Sequence, residues 1–150
     1  MDYNPLEVSL TDVIRPSVTR LTDYVQVYDD ICDEETCDQI VEAFESQKEK
    51  HVYIDRLKRP TFTEMNVSQE YLKRDVTWMS IQQQIQAYFI ESVSRYMSDL
   101  DLGADFPSKY AFEEYRIKRY RQQSDDEFAD HVDVGDYNSA RRFLVCFLYL

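Results

Sequence analysis

Cysteine, histidine and long apolar runs are scarce in this sequence of 150 residues. The 3 cysteines, Cys32, Cys37 and Cys146, are odd in number and form no CxxC pair. This argues against a disulfide framework and favours a reduced, cytoplasmic setting. Cys32 and Cys37 do not make a zinc site by themselves, because one zinc ion would need two further ligands nearby and none follow.

Targeting segments and a basic surface are lacking as well. No run approaches the roughly 20 apolar residues that span a bilayer. The N-terminus, MDYNPLEVSLTDV, has no basic region before an apolar stretch, so we expect no signal peptide. With 17 Lys and Arg against 29 Asp and Glu, the formal net charge is −12 at pH 7. An acidic protein repels phosphate backbones and anionic lipids, so we expect neither nucleic acid nor membrane as a partner.

The length suits one domain that can bury a core. Residues 1–22 are weakly patterned, and we expect an N-terminal arm there, followed by a single domain over 23–150. YVQVYDD (24–30) and HVYID (51–55) predict strands. Asp33 as N-cap, followed by two acids and apolar residues at helical spacing, predicts a helix to about Ser46.

Residues 59–69 have no clear period, and we expect a loop with some extended chain. Helical spacing from Arg74 to about Leu100 predicts the longest helix. YAFEEYRIKRY (110–120) alternates as a strand does. Tyr115 and Ile117 should face one side of it. The opposite side should carry Arg116, Lys118 and Tyr120. The two cations are expected on a solvated edge, with the mouth of a cavity as the alternative.

RRFLVCFLYL (141–150) is apolar on both faces, which is typical of a strand buried on both sides. The sequence stops inside this run, without a turn, a charge or a cap. A buried strand needs neighbours on its edges. We therefore expect a fragment, or a partner strand or homodimer that supplies the missing neighbours.

His131 and Asp133 lie in the stretch EFADHVDVGDY. On a strand, residues at i and i+2 face the same side, so an imidazole nitrogen and a carboxylate oxygen could meet at one point. A 2-His-1-carboxylate site holds iron(II) in this way and leaves positions open for a cosubstrate and dioxygen. Taken alone, the pair fits an exposed loop histidine among acids better than a metal site, because aspartate is common in this sequence and a chance HxD match is easy. His51 has no such neighbour and fits an ordinary strand histidine.

The context of the pair resembles the iron(II)/2-oxoglutarate dioxygenases of the prolyl 4-hydroxylase type. In that family a strand ending in Tyr precedes HxD, and an Arg and a strand ending in Tyr-Leu follow. YRIKRYRQQSDDEFADHVDVGDYNSARRFLVCFLYL (115–150) has this order. The family's opening strand and Cys-containing helix are similar to YVQVYDDICDEETCDQIVEAFE. The stretch FTEMN, which precedes the long helix, is similar to the same region of shorter, phage-type members.

The resemblance implies an α+β fold with a double-stranded β-helix (a cupin-like jelly roll) and N-terminal helices packed on one sheet. The C-terminal half of that barrel would be missing from the 150 residues. His131 and Asp133 would be metal ligands. Tyr120 and Tyr149 match positions that line the 2-oxoglutarate pocket, although each also fits a core aromatic with a hydrogen-bonded hydroxyl. Arg142 is expected to be structural.

The activity implied is hydroxylation of a substrate, with peptidyl proline as the family-level choice, and release of succinate and CO2. Iron(II) would be the cofactor, 2-oxoglutarate and O2 the cosubstrates, and ascorbate (vitamin C) the reductant. The partner would then be a protein or peptide substrate.

Two features depart from the family pattern. YRQQS lacks the Gly that usually follows the first Tyr, and the stretch from Tyr120 to His131 is longer than usual. The distal histidine and the basic residue that grips 2-oxoglutarate would follow position 150, so the 150 residues alone are expected to be inactive.

Two other functions compete with this one. The first is a non-catalytic interaction module on an incomplete jelly roll, which recruits a partner strand at its open edge. The second is a cupin-like metalloenzyme without 2-oxoglutarate, which the presence of only 2 histidines disfavours.

Overall fold

The computed structural model describes residues 20–29, 31–56 and 60–150 of the chain. These residues form three α-helices and a sheet of three strands, so the α+β class is confirmed. The elements in chain order are α1 (Glu34–Ser46), β1 (Val52–Asp55), β2 (Thr61–Asn66), α2 (Val67–Leu72), α3 (Val76–Asp99) and β3 (Arg116–Arg119). Short 3-10 turns lie at Leu21–Tyr24, Lys48–Lys50 and Ser139–Arg141.

Helix α1 begins as the sequence predicts. The Asp33 carboxylate accepts a hydrogen bond from the backbone N–H of Thr36 at 2.8 Å, which satisfies a donor that the helix itself leaves free. Ile40 and Phe44, on the same side of the helix, are buried in the core. The predicted N-cap and helix are therefore both confirmed.

Helix α3 is the longest element, also as predicted. The Asp75 carboxylate caps it by accepting hydrogen bonds from the backbone of Thr77 and Trp78. Trp78, Ile81 and Ile85 are buried at helical spacing and pack with α1. The Trp78 indole N–H also donates to the side-chain oxygen of Gln47 at 3.0 Å, so its one polar atom is satisfied.

The sheet is antiparallel with the order β1-β2-β3. Its central strand lies where a loop was predicted, over 59–69. Thr61, Phe62, Thr63 and Met65 in β2 are all buried, because both faces of this strand are covered. A strand covered on both sides shows no alternation of polar and apolar residues, so its period could not be seen.

The two faces of the sheet have different neighbours. Met65 and Ile117 lie opposite each other in the register and face the helices, where Met65 is fully buried. Glu64 and Lys118 are the next pair along the register and face the other side. The alternation predicted for residues 115–120 is confirmed, and it gives the sheet one face that packs on the helices. We call the second face the open face because no described helix covers it, although Tyr120 and Phe128 pack over Phe62 there.

Two predicted strands differ in the structure. Residues 25–28 pair with none of the strands that the structure describes. Instead, the Tyr96 hydroxyl donates to the Tyr24 carbonyl and the Tyr28 hydroxyl donates to Asp99, each at 2.9 Å. Residues 142–150 lie outside the sheet, because none of the described strands pairs with them. Of the predicted arm, residues 1–19 lie outside the described residues.

A cluster of charges joins the start of α3 to α2. The Lys50 ammonium lies 2.6 Å from Asp75 and 3.1 Å from Glu70, and Lys73 lies 2.7 Å from Glu70. Lys73 and Lys50 hold the pKa of Glu70 below its usual value, and Lys50 does the same for Asp75. Both carboxylates are therefore more stable as anions in the folded chain than in the unfolded chain.

This cluster predicts a loss of stability in acid. The unfolded chain binds protons at the usual carboxyl pKa of about 4, above the lowered folded values, so the stabilisation is complete above that pH and declines below it. Lys50→Met should lower the urea midpoint at neutral pH and flatten its decline toward about pH 3. Lys48→Met, an exposed neighbour, is the control and should leave both unchanged. An identical pH dependence in Lys50→Met and wild type would contradict this account.

Candidate functional site on the open face of the sheet

The connector after β3 returns to the sheet at the start of β2. Thr61 and Glu127 exchange two backbone hydrogen bonds, of 2.8 and 3.0 Å, which form an isolated antiparallel bridge. Adjacent side chains on paired strands lie close together. Phe128 therefore lies against Phe62, with ring centroids 5.7 Å apart, on the open face.

An ion pair holds the intervening loop. Arg121 donates to the Asp126 carboxylate from its side chain and its backbone N–H, both at 2.9 Å. The Asp126 side chain is only 1% exposed, and the Arg121 guanidinium holds the pKa of Asp126 well below its usual range. These contacts close the loop between β3 and the Thr61–Glu127 bridge.

His131 lies on the aromatic layer that the bridge creates. Its ring stacks on Phe128 with centroids 3.9 Å apart, and Phe128 packs edge-on against Phe62. His131 Nδ1 is 2.9 Å from the carbonyl oxygen of Ala129. His131 Nε2 is 3.1 Å from Oδ1 of Asp133. The structure therefore brings together the two residues that the sequence proposes as metal ligands.

Both ring nitrogens of His131 face acceptor atoms. A neutral imidazole carries a single N–H, so it can donate to Ala129 or to Asp133 but not to both. If Nδ1–H donates to Ala129, Nε2 carries a lone pair that a metal ion can share with the Asp133 carboxylate. A metal-bound histidine commonly donates its other N–H to a backbone carbonyl, as Nδ1 would to Ala129 here.

The spacing of the two donor atoms fits a metal. Two ligands at right angles and about 2.1 Å from one ion lie roughly 3 Å apart, and the observed separation is 3.1 Å. The His131 and Asp133 side chains are 42% and 39% exposed, so an ion and a small ligand can reach both. Their nitrogen and oxygen donors are also suitable for iron(II).

Arg142 fixes the backbone beside the pair. Its guanidinium donates to the carbonyl oxygen of Asp133 at 2.9 Å and grips both carboxylate oxygens of Glu113 at 2.8 Å. Arg142 also lowers the pKa of Glu113. Nearby, the backbone N–H of Ser139 donates to Asp136 Oδ1 at 2.8 Å, which closes the turn between the two residues. The geometry gives Arg142 the structural role expected of it.

Tyr120 and Tyr149 lie on the same side of the sheet. Tyr120 packs against Phe62 with centroids 5.5 Å apart. Burial raises the pKa of Tyr120, and the nearby Glu64 and Tyr149 raise it further, so its hydroxyl is a donor at neutral pH. Tyr149 is largely exposed and packs only against Phe147, with ring centroids 6.4 Å apart. Tyr120 and the His131–Asp133 pair therefore share the open face, and Tyr149 is close enough to Tyr120 to affect its pKa.

A third metal ligand does not join this pair among the described residues, where no group of three His, Cys, Asp or Glu is arranged for a metal. His51 lies elsewhere: it stacks on Phe44 with centroids 4.0 Å apart, and its Nε2 contacts the Phe44 carbonyl at 2.9 Å. A groove of about 630 Å³ also lies away from the pair, between α3 and residues 110–115.

The sequence does not point to Phe62, Phe128 or Glu64 as neighbours of the pair. The missed strand β2 carries Phe62 and Glu64, and only the Thr61–Glu127 bridge brings Phe128 to them. Recognition of β2 as a strand would have been the signal, because alternation puts Phe62 and Glu64 on one face.

Comparison with protein-family models, with curated proteins and with solved structures gave no match. Within the part of the chain that the structure describes, no helix is both long enough and apolar enough to cross a membrane.

Proposed function

We propose that this chain carries part of a metal-dependent oxygenase site, and that the enzyme is an iron(II)- and 2-oxoglutarate-dependent dioxygenase of the prolyl 4-hydroxylase type. The observation that carries the proposal is the contact between His131 and Asp133, in which two metal-compatible donor atoms lie 3.1 Å apart. The second support is the Ala129 carbonyl, which orients His131 Nε2 toward Asp133.

The residues have separate tasks in this proposal. His131 and Asp133 hold iron(II), while the stack on Phe128 and the Arg142 contact to the Asp133 carbonyl keep the ligands in position. Tyr120 and Tyr149 offer hydroxyl donors to 2-oxoglutarate. When bound, iron(II) with 2-oxoglutarate and dioxygen supplies the oxidising chemistry, and succinate and CO2 leave as co-products.

We also propose that the three strands belong to a double-stranded β-helix. Helices cover one face of the sheet, and the His131–Asp133 pair lies on the other. This arrangement is expected for an enzyme of this kind, whose active site is lined by the inner face of its barrel. The substrate is proposed to be a peptidyl proline, and ascorbate the reductant. The formal net charge of −12 favours a neutral or basic peptide.

The test is an anaerobic titration with Fe(II) and 2-oxoglutarate, followed by the weak visible charge-transfer band of the chelate. It is performed on the 150-residue chain and on any longer natural form. We expect a band that needs both components and that disappears when glutarate, which lacks the keto oxygen, replaces 2-oxoglutarate. Folded protein that gives no band in any form would contradict the proposal.

A second candidate function, a non-catalytic interaction module, is supported by residues 143–150. Half-buried and exposed side chains alternate from residue 143 to residue 149, so a partner strand could cover the exposed apolar ones. The exposed side carries Phe143, Val145, Phe147 and Tyr149. Absence of the band, together with concentration-dependent dimerisation in sedimentation, would favour this function; a band from monomeric protein would exclude it.

A further inference from the structure

The end of helix α3 turns the chain back on itself. Asp101 follows the helix with a φ of 51°, in the left-handed region that commonly ends helices. The backbone N–H of Leu102 donates to the Met97 carbonyl at 2.9 Å. That of Asp101 donates to the Ser98 carbonyl at 3.3 Å, which completes a Schellman motif. The Phe106 N–H then donates to the Leu102 carbonyl at 2.8 Å, so the segment after the helix is a compact turn.

This turn forms one wall of a pocket of about 320 Å³. Four aromatic side chains from separate parts of the chain line it, namely Tyr24, Tyr96, Phe106 and Phe143. Phe106 packs edge-on against Phe143, with ring centroids 5.2 Å apart at 82°. The Tyr96 hydroxyl donates to the Tyr24 carbonyl at 2.9 Å, which joins the other two. We call this site the aromatic pocket, and its volume is within the range of sites for small molecules.

Asp105 adds a negative charge to the aromatic pocket. Of the described residues that line it, Asp105 is the only one that is charged at neutral pH. Burial raises the pKa of Tyr96, so its phenol stays neutral, and its hydroxyl hydrogen is already donated to Tyr24. These lining residues therefore offer ring faces and a carboxylate, and none of them offers a cation to an anionic ligand.

This combination suits a positively charged ligand. The face of an aromatic ring carries partial negative charge and attracts cations. Elsewhere in the described chain, protein cations occupy such faces: the Arg95 guanidinium is 4.4 Å from the ring centroid of Tyr28, and that of Arg121 is 5.3 Å from Tyr53. None of the described cation–ring contacts involves the aromatic pocket. The formal net charge of −12 also draws cations toward the protein.

A quaternary ammonium group fits this pocket better than a primary one. A primary ammonium carries three N–H donors, and each needs an acceptor. The Tyr24 carbonyl already accepts from Tyr96, and the side chains of Leu102 and Leu144 in the pocket wall offer no acceptor. A quaternary ammonium has no donors to satisfy, and its methyl groups pack against apolar side chains. Aromatic sites are known to recognise such groups.

We propose that the aromatic pocket binds a small molecule that carries a quaternary ammonium group, as choline does. The rings contact the methyl groups, and the Asp105 carboxylate balances the positive charge. The volume of the pocket favours a small molecule over a segment of a peptide. None of the residues that line it belongs to the proposed metal site or carries the tyrosines proposed for 2-oxoglutarate. The inference therefore goes beyond the proposed function and does not depend on it.

The experiment is a proton NMR titration of choline with the 150-residue chain at low ionic strength. Ring currents shield protons that lie over an aromatic face, so the N-methyl resonance of choline should move upfield on binding. The neutral analogue of choline, in which carbon replaces the nitrogen, has the same shape and should bind about 10-fold more weakly. Added NaCl should weaken choline binding, because ions screen the charge of Asp105.

The variants separate the rings from the charge. Phe143→Leu removes a ring that is 53% exposed, so the core is left unaltered. It should weaken choline binding about 2- to 30-fold, the range for loss of one cation–ring contact. Asp105→Asn should weaken binding and reduce the effect of NaCl. Phe147→Leu, at an exposed ring of the same segment but outside the pocket, is the matched control and should bind choline as wild type does.

Circular dichroism should be the same for all of these variants. The inference is overturned if wild type shows no upfield shift of the N-methyl resonance, if the neutral analogue binds as tightly as choline, or if Phe143→Leu binds choline as wild type does. A trimethyl-lysine peptide that binds more tightly than choline would overturn the assignment of the pocket to a small molecule.

Discussion

Replacing His131 with alanine should weaken Fe(II) binding by about 100-fold or more in the 150-residue chain. In a longer natural form that carries the complete site, the same change should abolish succinate formation. Loss of an outer contact to a metal ligand already costs about 10- to 100-fold in affinity, so loss of a direct ligand should exceed that range. With the ring gone, Asp133 has no nitrogen donor at 3.1 Å with which to share an ion. Anaerobic Fe(II) titration and succinate assays measure the two effects.

The other histidine of the chain supplies the control. His51 lies in the helical layer, stacked on Phe44, and is separate from the open face. His51→Ala should retain Fe(II) affinity even if it lowers the melting temperature. Asp133→Asn should reduce affinity as well, since an amide does not carry the negative charge of the carboxylate. Equal Fe(II) affinity in His131→Ala and wild type would reject the metal site.

Replacing Trp78 with alanine should lower the free energy of unfolding by about 3–5 kcal/mol, the usual cost of removing a large core aromatic. Trp78 is fully buried, in the cluster that joins α1, α3 and the sheet. The change leaves a large cavity and removes the donor to Gln47. Because whole domains are stable by only about 5–15 kcal/mol, this loss is a large fraction of the total stability.

Urea unfolding followed by far-UV circular dichroism measures this loss without depending on the tryptophan signal. Trp78→Phe is the matched variant: it fills most of the space and loses the hydrogen bond, so it should be destabilised less than Trp78→Ala. Val76→Ala, at an exposed position in the same helix, should be close to neutral. A Trp78→Ala midpoint near that of wild type would show that the core does not depend on this residue.

The helices could be predicted from the sequence because their signals are local. An N-cap side chain bonds to the backbone three residues on, and apolar residues at helical spacing mark the buried side. Asp33 and Asp75 both cap helices in this way. For β2 the local signal fails, since its polar threonines and its apolar residues are buried alike by neighbours distant in the chain.

The proposed metal ligands could also be found in the sequence, since a short spacing brings His131 to Asp133. Their surroundings could not. Phe62 and Phe128 meet only because Thr61 pairs with Glu127 across the sheet. Lys118, expected on a solvated edge, lies over these two rings for the same reason.

The sequence by itself determined the α1 and α3 helices, the strand around 52–55 and the closeness of His131 to Asp133. These depend on residues a few positions apart, whose geometry the local backbone conformation sets. Of the strand predicted over 110–120, only Arg116–Arg119 forms one in the structure. Only the tertiary structure decided which strand is central, and that His131, Lys118 and Tyr120 share one face of the sheet. It also left residues 142–150 outside the sheet. Strand pairing joins distant segments, and its hydrogen bonds form between backbone groups that every residue carries, so side-chain order alone does not specify the partner.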